Sequence, residues 1–144
     1  MAVSLCSSLV IETMCHQSGE DQVAVTCLHC DFQAHMLGAI LKQVVSGLEH
    51  IPREIVAAFQ RSKKLLDGRE LESAEILSLL ISTLCTLRRS YICINALDEF
   101  PMEYQPELFQ SLAQVTREPP GTRLFVTGRP HIREEVGRYL IWTV

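Results

Sequence analysis

The chain has no excess of positive charge: 13 lysines and arginines stand against 17 aspartates and glutamates, a formal net charge of -4. It therefore offers no basic stripe of the kind that neutralises nucleic-acid phosphates, and nucleic acid is excluded as a partner. Long hydrophobic runs are missing too. No stretch approaches the roughly 20 apolar residues that cross a bilayer, so no membrane role is read. The apolar opening from Met1 to Met14 lacks a basic leading segment and a small-residue cleavage site. No export signal is read, and a cytoplasmic protein is expected. Internal repeats, low-complexity tracts and linkers are absent as well.

Six cysteines without an export signal are expected as reduced thiols, not as a disulfide framework. Cys27-Leu28-His29-Cys30 has CxxC spacing, but structural zinc takes four ligands, and neither Cys85 nor Cys93 supplies a second pair. Small residues in a buried strand account for these cysteines better. With 47% apolar and 21% charged residues over 144 positions, the chain has the composition of one globular domain, residues 1–144.

Apolar periodicity sets out the elements. Leu5, Cys6, Leu9, Val10 and Met14 recur at helical spacing. After a polar turn, Val23 to Leu28 reads as a strand ending at Cys30-Asp31. Met36, Leu37, Ile40, Leu41, Val44, Val45 and Leu48 form one helical stripe that stops near Gly47. Pro52 then opens a helix whose buried side is expected from Ile55, Val56, Phe59 and Leu65, before Asp67-Gly68 breaks it; Lys63 and Lys64 suit its carboxyl end. Ser73 is the candidate cap of a further helix running through Leu87 to Arg88-Arg89. A strand from Tyr91 to Ile94 follows, then a helix opened by Pro106-Glu107. The break Glu118-Pro119-Pro120-Gly121 precedes a short strand from Arg123 to Thr127, which Gly128-Arg129-Pro130 ends. Strands alternating with helical segments predict parallel crossovers and an α/β sandwich with a sheet of about three strands.

The segment Tyr91–Phe100, YICINALDEF, organises the rest. Its unbroken apolar run suits a strand buried on both faces, and Asp98 and Glu99 follow directly. One reading is a core strand leaving through a polar turn. The other is a ligand site, because open α/β sheets bind ligands at the carboxyl ends of their strands. Asn95, Asp98 and Glu99 come after one strand, Thr127 and Arg129 after the next. In a parallel sheet both ends open on one edge, which places carboxylates and a guanidinium where a metal-bound polyphosphate would fit. Alternatively, Arg129 is an exposed arginine in a turn.

At these residues the sequence resembles a family. YICINALDEF is similar to the Walker B stretch of NACHT-type STAND nucleoside triphosphatases, and RLFVTGRPHIREEV to the sensor strand that follows it. The likeness is greatest to fungal signalling proteins with a nephrocystin-type N-terminal domain, and it covers roughly residues 4 to 138. It implies a partial P-loop NTPase three-layer sandwich, with magnesium and ATP or GTP as ligands. It implies catalytic roles for Asp98 and Glu99, nucleotide contacts for Thr127 and Arg129, and metal ligation by Asp98 and at the Asn95 position.

Two departures weigh against activity. None of the seven glycines precedes a lysine, so the phosphate loop G-x-x-x-x-G-K-[ST] is absent from this sequence. The backbone N–H groups and lysine of that loop supply most polyphosphate contacts in such sites. Asn95 also stands where the family pattern has the magnesium-binding aspartate. A carboxylate about 4 Å from a divalent cation contributes on the order of 8 kcal/mol gross at an effective dielectric near 20, and asparagine forgoes it.

The sequence also looks cut before the phosphate loop and before a fifth strand, which would leave Arg123–Thr127 as an open edge. The expected function is thus a truncated, inactive NTPase module of a signalling protein. The alternatives are a non-enzymatic interaction module, pairing through that edge with related chains or other proteins, and an incomplete gene product. A flavodoxin-like or receiver-like domain has similar periodicity but does not predict ALDE and TGRP after successive strands.

Overall fold

A computed structural model describes residues 22–30, 35–64 and 71–140. Three strands, β1 (Val23–His29), β2 (Arg89–Asn95) and β3 (Thr122–Val126), form a parallel sheet in the order β1-β2-β3. The register pairs His29 with Asn95 across the first ladder and Ile94 with Val126 across the second, so all three strands end together on one edge. Helices α1 (Met36–Ser46), α2 (Arg53–Lys64) and α3 (Ser73–Cys85) lie between β1 and β2, and α4 (Gln105–Arg117) joins β2 to β3. This is the expected α/β fold, a parallel sheet flanked by helices.

Because both crossovers advance in one direction, right-handed connections put their helices on one sheet face. Core composition agrees: Ala24, Ile92 and Ile94 share a buried cluster with Ile40 and Val44 of α1, Leu80 and Leu84 of α3, and Phe109 and Leu112 of α4. The amino ends of β2 and β3 are joined by a buried hydroxyl pair, Ser90 and Thr122, at 2.7 Å. The two strands approach so closely there that Gly121 is required. A Cβ on it would stand 2.2 Å from the Arg88 carbonyl oxygen.

The outer edge of β1 is covered by a side chain. The Gln43 amide accepts from Cys27 N–H at 2.8 Å and donates to Cys27 C=O at 2.9 Å, imitating a neighbouring strand.

Several expectations need correction. In α2 the buried residues are Ile55 and Ala58, whereas Val56 and Phe59 are 40% and 52% exposed. The reason is a shallow apolar groove of about 720 Å³ between α1 and α2, along which Phe59 lies with Ile51 and Val45. Glu72, not Ser73, occupies the cap position of α3, and no side chain bonds there. That helix ends at Cys85, and Arg89 already belongs to β2, since Arg88 and Arg89 donate their N–H groups to the Gln22 carbonyl.

A short helix, α5 (Arg133–Tyr139), was not expected. Val136, its buried residue, and the Phe109–Tyr139 ring contact at 5.8 Å hold it against α4. The expected helix over Leu5 to Met14 and the positions of Leu65 and Asp67-Gly68 lie outside the described residues.

Candidate functional site

At the carboxyl edge, the backbone first ties the strand ends to one another. Cys30 N–H donates to the Asn95 carbonyl at 2.8 Å, Thr127 N–H to Ile94 at 2.9 Å, and Leu97 N–H to Thr127 at 2.9 Å. The chain leaves β2 through Ala96, whose φ of 57° lies in the left-handed region. It then makes a single 3-10 turn, Leu97–Glu99, anchored by the fully buried Leu97. This reversal turns Asp98 toward the loop after β3.

Two side-chain clamps result. In the first, Thr127 Oγ1 donates to Asn95 Oδ1 and accepts from Ala96 N–H at 3.2 Å. With its oxygen so used, the Asn95 amide nitrogen donates to His29 Nδ1 at 3.3 Å. His29, Asn95 and Thr127 thus link the ends of all three strands. The other ring nitrogen of His29 lies 3.9 Å from the half-exposed Glu99 carboxylate.

In the second clamp, Asp98 uses both oxygens on one residue. It accepts from Arg129 N–H at 3.1 Å and pairs with Arg129 Nε at 3.0 Å. The Asp98 side chain is 5% exposed while that of Arg129 is 72% exposed, so the carboxylate is buried and the guanidinium half reaches water. Gly128 permits the approach, because a Cβ there would stand 3.2 Å from Asp98 Oδ1.

The five residues singled out in the sequence, Asn95, Asp98, Glu99, Thr127 and Arg129, therefore lie on one edge. Four of them are partnered among themselves, and Glu99 has the most open carboxylate. The magnesium implied by the family resemblance would fall to Asn95 and Asp98, but their arrangement does not fit it. Magnesium demands oxygen ligands in near-octahedral order. Here the Asn95 oxygen is taken by Thr127 and both Asp98 oxygens by Arg129. Among the described residues, no three His, Cys, Asp or Glu side chains stand together as a metal cage.

Sequence reasoning missed His29, which was considered only as the interior of a CxxC spacing. Strand register would have found it, since His29 is the partner of Asn95. Cys27 and Cys30 point to opposite sheet faces: Cys30 joins the core under the helices and Cys27 does not.

The family model described as nephrocystin 3, N-terminal, matches residues 4–129. No curated protein and no solved structure matches the chain.

Proposed function

The chain belongs to the nephrocystin 3, N-terminal family, and from that premise we propose that it is the NTPase-like module of a NACHT-type signalling protein, without hydrolytic activity of its own. The observation that carries this reading is the closed state of the edge. Asp98, the carboxylate best placed by sequence to act on a nucleotide, is buried and held at both oxygens by Arg129. A nucleotide's terminal phosphate would have to draw the Arg129 guanidinium away, leaving the buried Asp98 carboxylate uncompensated at a cost of about 1–3 kcal/mol.

Binding energy to meet that cost comes, in phosphate-loop proteins, from the glycine-rich loop and its lysine. This sequence contains no glycine–lysine pair. Asn95 adds to the deficit, since its oxygen is neutral and already accepts from Thr127.

Phosphate release from ATP and from GTP, with magnesium, tests the reading on the wild-type chain and on Asn95→Asp. Neither is expected to turn over. Turnover in Asn95→Asp alone would show that the lost charge, not the missing loop, is limiting, and the proposal would fall.

A second reading, docking of a protein partner, is favoured by one feature of β3. Among the described residues it is an edge strand, and its Phe125 is 41% exposed beside Cys93 at 4%. An extended segment of a related chain could add to this edge by strand pairing. The outer backbone of β1, by contrast, is engaged by the Gln43 side chain.

A further inference from the structure

Cys27 and Cys93 are 66 residues apart in sequence and are partners in the β1–β2 register. In-register residues of parallel strands project to the same face, about 4.8 Å apart at Cα. That face is the one turned away from the helices, because the neighbours Ile92 and Ile94 belong to the helix-covered core and Cys93 does not. A Cα separation of about 4.8 Å falls within the range of about 4.4–6.8 Å found for disulfides. Cys27 and Cys30, the pair suggested by sequence spacing, have no such geometry, being on opposite faces and about 10 Å apart along an extended chain.

We propose that Cys27 and Cys93 are a modification site, forming a reversible disulfide across β1 and β2. Both are thiols in this structure. Cys27 is half-buried and Cys93 is 4% exposed, which orders the steps. The Cys27 thiolate attacks one sulfur of oxidised glutathione and releases a first glutathione. Cys93 then loses its proton and attacks the Cys27 sulfur of the mixed disulfide, releasing a second glutathione. Two protein thiols are oxidised and one glutathione disulfide is reduced to two thiols.

With neighbouring strands about 4.8 Å apart, the Cβ atoms of an in-register pair stand wider than the disulfide mean of about 3.8 Å, so a bond between them would be strained and easily reduced. That favours a reversible modification over a structural bond. It would tie β1 to β2 two residues before His29 and Asn95, at the base of the first clamp.

The test incubates the full chain with oxidised glutathione, quenches with acid, alkylates under denaturing conditions, and measures intact mass and fragments. The expected product has lost a pair of hydrogens, carries no glutathione, links Cys27 to Cys93 and reverts with dithiothreitol. Cys27→Ser and Cys93→Ala should each abolish it, while Cys30→Ser and Cys85→Ser should leave it. Circular dichroism of each variant confirms that it is folded. A stable glutathione adduct on Cys27 with Cys93 still alkylated, a bond to any other cysteine, or no oxidation at all would overturn the proposal.

Discussion

Ile92 and Ile94, at the centre of β2, are 0% and 1% exposed and belong to one buried apolar cluster with side chains of the flanking helices. Asn95 and Asp98, only a few residues further along the same chain, are fixed by named atoms: Thr127 and His29 for one, Arg129 for the other. The first region is held by volume and the second by direction. A packed apolar layer accepts a different side chain of similar size, whereas a polar clamp loses its partner with any change of chemistry.

The largest effect should come from emptying the apolar layer. Phe109→Ala, at a fully buried position, is expected to cost about 3–5 kcal/mol in chemical denaturation. The volume-conserving Leu112→Met should cost less than about 1.5 kcal/mol. If the two were equal, the layer would be as specific as the rim and the contrast would fail. Next is Gly121→Ala, which drives a Cβ to 2.2 Å from the Arg88 carbonyl. Backbone on both sides cannot yield cheaply, and a loss of about 2–3 kcal/mol is expected.

At the rim, Arg129→Ala should cost about 1–3 kcal/mol, because it strands the buried Asp98 carboxylate. Adding Asp98→Asn should recover part of the loss, since the stranded charge is then gone. A double variant no more stable than the single one would mean that the Arg129 effect lies elsewhere. The smallest change is a gain: Ala96→Gly should stabilise by about 0.5–1 kcal/mol, as φ of 57° is unfavourable for a residue with a Cβ.

The same contrast explains what could be read from sequence. The strand Tyr91–Ile94 and the stripe Ile40, Leu41, Val44 were legible because burial imposes a period on apolar residues, and the parallel order followed from their alternation. The extent of α2's buried side was not. Phe59 is a large apolar residue at the right spacing, yet it borders a groove between helices, where periodicity carries no information on depth.

At the rim, the positions of Asp98 and Arg129 were legible from their place after successive strands. Their direct pairing was not, because it depends on the left-handed turn at Ala96 and on the space beside Gly128. His29 and the Cys27–Cys93 pair depend on register across a 66-residue interval, which no local pattern encodes. The helix α5 was missed because its seven residues bury Val136 alone, too little to establish a period.

With the carboxyl edge closed on itself, this chain alone is proposed to take up no magnesium nucleotide. Titration calorimetry with magnesium and a slowly hydrolysed ATP or GTP analogue tests this most directly. No heat of binding is expected from a folded monomer. Binding in the micromolar range, lost on Arg129→Ala, would contradict it and show that Asn95, Asp98 and Arg129 open to receive a nucleotide without a phosphate loop.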